Sequence, residues 1–275
     1  MANTKSEQVG GTKTTVLTVI STGLFVLVSS IIVFPVLAGF LASFRPGQEL
    51  FRRGLSLNLD FSTMTLKNYQ YIFSGNSDSL KYLNSFKNSL FLTFVTVVAT
   101  LVVCYFIAYG ISMYEFKLRN VLFFLVIATM MVPFEILMLP LYQEIIKLNL
   151  TDTTWGVVLP GVCGASTIFF FRQYMIGLPK ELLEAGRIDG ASEYGICTKI
   201  MLPIVKPAFA SMAILTSMGS WNNLLWPMLV YRSQAKFTLP VYLNGLLNPY
   251  GNNYDILIAG SMFSIIPVLA VFLCF

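Results

Sequence analysis

Histidine is missing from all 275 residues. Its absence removes the commonest general base and metal ligand, and with them any Ser-His-Asp arrangement or His-bearing zinc site. Charge is nearly as scarce, with only 11% of residues being Asp, Glu, Lys or Arg, too few to cover a soluble domain of this length. The four cysteines, Cys104, Cys163, Cys197 and Cys274, are far apart. They suggest neither a C-x-x-C metal site nor a disulfide framework, and are expected to be packing residues. The net charge of +5 is modest and its cations are scattered through loops, which argues against a nucleic-acid partner. No catalytic residue and no metal site are expected, so the chain is not read as an enzyme.

What the sequence has instead is apolar length. Hydrophobic residues make up 56% and the mean hydropathy is +0.72, more apolar surface than a soluble fold could enclose. Apolar runs lie near 15–42, 89–113, 120–141, 155–176, 207–230 and 256–275. A helical span needs about 20 such residues, so the expectation is an all-α, multi-pass integral membrane protein of six spans forming one domain over 1–275. The first run is too long for the apolar region of a signal peptide, and reads as a retained span with a cytoplasmic N-terminus. Gly10-Gly11-Thr12-Lys13-Thr14 lacks the G-K-S/T ending of a phosphate loop. The last run reaches Phe275 with barely the length of a span, so a continuation beyond it is expected.

The apolar pattern is broken by a polar island at 178–206. Pro179 suits a first helical turn, Glu181 and Glu184 favour the positive end of that helix, and Asp189-Gly190 breaks it. Ser192 can cap a second helix, which Pro203 should stop close to Leu202. Ala185, Gly186, Gly190 and Ala191 cluster at the bend, where glycine costs a helix roughly 1 kcal/mol relative to alanine. Something is therefore expected to press close there.

The spacing Glu184-Ala185-Gly186, x3, Gly190, x9, Ile200-Met201-Leu202-Pro203 resembles the E-A-A, x3, G, x9, I-x-L-P signature of permease subunits in binding-protein-dependent ABC importers. Gly186 departs from the usual alanine but keeps the site small. The resemblance implies a type I importer fold with a cytoplasmic coupling helix seated in a groove of a separate ATPase. Its coupling residues would be Glu184, Ala185, Gly186, Asp189, Gly190, Ala191, Ile200, Leu202 and Pro203. Leu66-x-Asn68-Tyr69-x3-Phe73 and Phe86-Lys87-Asn88-Ser89-Leu90 are similar to elements of sugar-importer permeases. Over nearly its whole length the chain resembles the smaller, MalG-like permease subunit of carbohydrate importers. That resemblance implies a second, homologous permease, two ATPase subunits that bind ATP and Mg, and an extracytoplasmic binding protein. It also implies a carbohydrate substrate, an oligosaccharide by preference, and a prokaryotic plasma or inner membrane as the location. No cofactor is expected in this chain.

Charge counting partly supports a cytoplasmic coupling loop. The N-terminal tail and inner loops carry Lys5, Lys13, Lys117, Arg119, Lys180, Arg187, Lys199 and Lys206, but the first outer loop is also basic. Polar residues inside the spans are candidates for the translocation path. An acid at a helix centre costs about 2.5 to 3.5 kcal/mol on insertion scales, so Glu135 should face water or a partner. Trp221, Asn222 and Asn223 precede Trp226-Pro227 in a pattern similar to W-N-x3-W-P in sugar permeases, although helix-to-helix hydrogen bonding explains the amides as well. Asn248, Pro249, Tyr250, Gly251 and Asn252 form a turn-rich outer segment. In maltose-type permeases the equivalent loop contacts the binding protein. The competing readings are a permease for another solute such as glycerol phosphate, or a secondary transporter. The latter would normally show internal repeats and several intramembrane acids.

Overall fold

A computed structural model describes residues 8–47, 64–247 and 254–274, with side chains from residue 18 onward. Regular structure among these residues is helical throughout, as apolar segments in lipid require, because a helix satisfies its own backbone hydrogen bonds. The helices are α1 (Gln8–Ala42), α2 (Lys67–Phe73), α3 (Ser77–Met113), α4 (Arg119–Thr129) and α5 (Phe134–Lys147). They continue with α6 (Thr154–Gly161, its last turn 3-10), α7 (Ala165–Ile176), α8 (Glu181–Ile188) and α9 (Glu193–Ile204). After these come α10 (Lys206–Trp221), α11 (Leu225–Val230), α12 (Leu239–Gly245), α13 (Tyr254–Phe263) and α14 (Ile265–Cys274).

Among the described residues, three stretches are long and apolar enough to cross a membrane: Thr18–Ala42, Ser77–Met113 and Tyr254–Cys274. The others are bent. α4 and α5 meet at 101°, α6 and α7 at 48°, and α9 and α10 at 75°, so six spans arise only if each bent pair counts as one. The runs read as straight spans at 120–141 and 155–176 are thus interrupted, and the run at 207–230 divides into α10 and α11 at 222–224. Pro133 explains the first break, since it has no N–H and biases Val132 away from the helical region. At the last break, Asn222 ends α10 by returning both its backbone N–H and its side-chain amide to the Met218 carbonyl, each at 3.1 Å.

Contacts divide the chain into two bodies, residues 1–71 with 247–262, and residues 72–246 with 263–275. In the first, α1 is exposed on every side from residue 18 to 37 and buries only its far end, at Ala38 and Ala42. The Asn68 amide donates to the carbonyls of Ser43 and Arg45, at 2.8 and 2.9 Å, while the Ser43 and Tyr69 hydroxyls share a 2.7 Å bond. The start of α2 therefore fastens the end of α1, with Phe44 between the rings of Phe40 and Tyr69.

The second body has two cores. The inner one gathers Tyr105, Phe171, Met175, Leu183, Ile196 and Met201 from α3, α7, α8 and α9. The outer one gathers Leu92, Ile145, Val158, Trp226 and Val230. A clasp closes the end of this body beside the second core. Asn84 and Asn88 donate to the Ala235 carbonyl, both at 2.8 Å, and Ser89 Oγ accepts from Leu239 N at 2.7 Å. This gives the Asn88-Ser89 pair a physical role. Asp152, held at a left-handed φ of 58°, accepts from the N–H groups of Arg232 and Ser233 and from the Ser233 hydroxyl. Burial pushes the Asp152 carboxyl up, but these donors and Lys236 outweigh it and hold the value at about 2. The sign is that of a depressed acid: the stabilisation is fully present above the ordinary carboxylate range and is lost as pH falls through about 2. Asp152→Ala should therefore lower stability by about 2 kcal/mol, the cost of leaving charged hydrogen bonds unmade. The check is the thermal midpoint in detergent, and an unchanged midpoint at pH 7 would show the clasp to be dispensable.

Candidate functional site

Two places in the second body bring the expected residues together. The first is the bend between α8 and α9. Gly190 sits at φ 76°, a conformation that favours glycine, and its N–H bonds the Arg187 carbonyl at 3.0 Å while Ala191 N reaches Gly186 O at 2.9 Å. This pair of bonds is a Schellman end, which stops α8 at Ile188 and turns the chain sharply. Ser192 then caps α9 by accepting from Gly195 N at 3.1 Å.

At Gly186 something does press close, and it belongs to the same chain. A Cβ there would stand 2.7 Å from Ile200 Cδ1 and 3.1 Å from Ile196 Cγ1, so α9 itself fills the space. The motif's Gly186 and Ile200 are thus packing partners inside one hairpin. α9 does not stop at Leu202 but runs through Pro203 to Ile204, because residues Ile196–Met201 adopt a π-helix. That wider turn makes room for the ring that would otherwise press on the Lys199 carbonyl.

Glu184, Ala185, Asp189, Gly190 and Ala191 are exposed. Beside them stand Ile188, 86% exposed, and Tyr194, 71% exposed. These two were missed in the sequence, where the only signal was an isoleucine directly before Asp-Gly in a polar stretch. Large apolar side chains on a short, charged bend are what a partner protein would cover.

The bend is tied to the spans. Arg187 Nε donates to Glu193 Oε1 at 2.6 Å, and Tyr114 OH donates to Glu193 Oε2 at 2.7 Å. Lys180 pairs with Glu115 at 2.8 Å and holds that carboxyl below its usual range. Deeper in, Tyr105 OH donates to the Cys197 carbonyl at 2.7 Å. With Leu183, Ile196 and Met201 in the inner core, these bonds make α8 and α9 continuous with the C-terminal end of α3.

The second place is a cavity of about 520 Å³. Its wall includes Met130 and Phe134, Gly161 and Gly164, and Ser220 and Asn223, so it collects residues from all three interruptions at 130–133, 162–164 and 222–224. Non-helical backbone at membrane depth is tolerated where it is buried in protein or lines a watery cavity. Hydroxyls of Thr96, Thr100, Ser166, Thr167 and Thr216 also line it, with the rings of Phe169, Phe170 and Trp226. Thr100 is buried and its hydroxyl has no partner. The Trp226 N–H is already donated to the Val157 carbonyl at 3.2 Å.

Of the four residues expected along a path, Asn223 lines this cavity; Glu135, Trp221 and Asn222 are not among its wall residues. Glu135 is exposed in the first turn of α5, where a negative charge suits the helix's positive end. Trp221 is 5% exposed, packed edge-on against Phe86 and donating to the Ser264 carbonyl at 3.2 Å. The outer residues Asn248, Pro249, Tyr250, Gly251 and Asn252 lie outside the described residues.

Among solved structures, the fold is similar to a chain of a bacterial ABC transporter involved in the import of the acidic polysaccharide alginate. The TM-score is 0.79 at 24% identity, over 99% of this chain and 97% of that one. The fold is accordingly that of a type I ABC importer permease. In sequence, the chain is 51% identical to the arabinooligosaccharides transport system permease protein AraQ of Halalkalibacterium halodurans, covering 91% of this chain and 89% of the relative. It is 31% identical to the sn-glycerol-3-phosphate transport system permease protein UgpE of Rhizobium meliloti, over 88% and 86%. Residues 102–275, which hold the α8–α9 bend and most of the cavity wall, match the family described as binding-protein-dependent transport system inner membrane component. The chain belongs to that family of inner membrane transport components.

Proposed function

We propose that this chain is a permease subunit of an ABC importer for arabino-oligosaccharides or closely similar carbohydrates. The observation that carries the reading is the cavity at the three helix breaks. Its wall offers hydroxyls, an amide and aromatic rings and no charged side chain, which suits a neutral, hydroxyl-rich solute better than a phosphate ester. The 51% identity to an arabino-oligosaccharide permease supports the same substrate class. A second, homologous permease completes the path, and two ATPase subunits that bind ATP and Mg dock on Glu184 to Ala191 and the apolar knobs Ile188 and Tyr194. A binding protein delivers the sugar from outside, near Asn248 to Asn252. In this arrangement the N-terminus and the coupling bend are cytoplasmic. Closure of the ATPases pushes on the bend, and the Tyr114, Glu193 and Arg187 bonds carry the movement into α3 and the cavity.

The test is uptake into proteoliposomes holding the complete transporter, with the cognate binding protein outside and ATP inside. Arabino-oligosaccharide should accumulate and stimulate ATP hydrolysis, while sn-glycerol 3-phosphate should do neither. The reverse pattern would replace the sugar reading. Uptake that persists without ATP and collapses with the proton gradient would replace the ABC mechanism.

A further inference from the structure

The cytoplasmic ends of α4 and α7 bring together two arginines that the transport reading does not use. Arg119 opens α4, and Arg172 lies four residues before the end of α7. The Arg172 guanidinium lies over the Phe123 ring, its Cζ 3.6 Å from the ring centre, and Phe123 stands one helical turn beyond Arg119. Phe123 also stacks on Phe169 of α7, with centroids 6.0 Å apart and planes within 9°. The two helices are thereby held so that like charges repel one another. The Nε atoms of both arginines are buried without a hydrogen-bond partner. Among the described residues neither arginine has an ion pair, and the nearby Glu115 is already engaged by Lys180.

Two neighbouring cations whose nearby carboxylate, Glu115, is hydrogen-bonded to Lys180 leave guanidinium donors unanswered. The apolar surface beside them, with Val121, Leu122, Phe124 and Leu125 all exposed, calls for an apolar neighbour as well. An amphiphile supplies both. The phosphodiester of such a lipid presents two non-bridging oxygens, one for each guanidinium group. Basic pockets between spans on the cytoplasmic side are suited to anionic headgroups, because that leaflet carries the negative lipid.

We propose that Arg119 and Arg172 form a site for the phosphate headgroup of an anionic phospholipid, held between α4 and α7 at the cytoplasmic leaflet. The leaflet assignment rests on the orientation proposed above, whereas the site itself does not depend on which solute is carried.

The experiment uses the complete transporter, delipidated in mild detergent and re-exposed to phosphatidylglycerol or phosphatidylcholine, with bound lipid counted by native mass spectrometry. The wild type should retain phosphatidylglycerol several-fold more than phosphatidylcholine. The double variant Arg119→Gln, Arg172→Gln should lose at least two thirds of that excess. The pair Arg119→Lys, Arg172→Lys should keep part of it, and Lys81→Gln should keep all. Equal retention by the wild type and the double Gln variant overturns the site. Millimolar inorganic phosphate that displaces the lipid, and protects the protein from heat as well as the lipid does, reassigns the site to soluble phosphate. Loss of the second permease from the double Gln variant, with the lipid count unchanged, means that the arginines meet a carboxylate of that subunit. Reaction of Lys117→Cys with an impermeant thiol reagent added outside overturns the cytoplasmic leaflet alone. Failure of arabino-oligosaccharide uptake leaves every one of these readings intact.

Discussion

Gly186→Leu is expected to leave the transporter assembled in the membrane while cutting sugar-stimulated ATP hydrolysis at least tenfold. The first added carbon already meets Ile200 Cδ1 at 2.7 Å, and beyond it stands Ile196 Cγ1 at 3.1 Å. Ile196 is fully buried in the inner core, so it cannot swing away, and three further carbons have no space. Overpacking of this kind costs about 1 to 3 kcal/mol. The cheapest relief is to lift α8 away from α9, which displaces Ile188 and the Schellman turn at Gly190 relative to Tyr194. The spans do not depend on that hairpin for their own hydrogen bonds, so insertion should survive. Gly186→Ala is the graded control, because a methyl group needs only the flexible tip of Ile200 to move, and it should retain most activity. The measurement is ATP hydrolysis in proteoliposomes with and without loaded binding protein. A leucine variant stimulated as strongly as the wild type would show that the hairpin is not a rigid coupling unit.

Gly219→Phe should abolish sugar uptake by a different route. Gly219 lines the cavity, and a Cβ built there meets nothing within 4 Å. The ring can therefore enter the empty space without disturbing a neighbour, and fill part of what a pentose unit would need. Gly161, also on the wall and also facing open space, gives an independent second plug. Uptake should fall below a tenth of the wild-type rate in each, with basal ATP hydrolysis and assembly preserved. Undiminished uptake in both variants would place the sugar path elsewhere.

Local chemistry was legible in the sequence wherever a residue acts on its own neighbours. Asp189-Gly190 ended α8 and Ser192 capped α9, because turns and caps depend on a few adjacent atoms. The helical class followed from apolar length. The π-turn at 196–201 was not legible, since it depends on Ile196 and Cys197 being anchored in a core built by α3 and α7. Nor was the separation of Trp221 from Asn223: two residues apart, they fall on a packing contact and on the cavity wall because α10 ends between them. The cavity itself draws on α3, α5, α6, α7, α10, α11 and the breaks at 130–133, 162–164 and 222–224, and no single stretch of sequence announces it. Ile188 and Tyr194 looked like ordinary members of a loop until their exposure was known.

The interrupted spans also bear on how the protein comes to exist in a cell. A continuous apolar helix can leave the insertion machinery and rest in lipid alone, but α4 with α5, and α6 with α7, carry loose backbone in their middles. Moreover, α4 buries none of its residues within this chain. Such segments are costly to leave bare, so the newly made subunit is expected to be short-lived when synthesised alone and to persist beside the second permease proposed above. Membrane quality-control proteases would then enforce equal numbers of the two subunits, with the helix breaks serving as the mark of an unpaired copy.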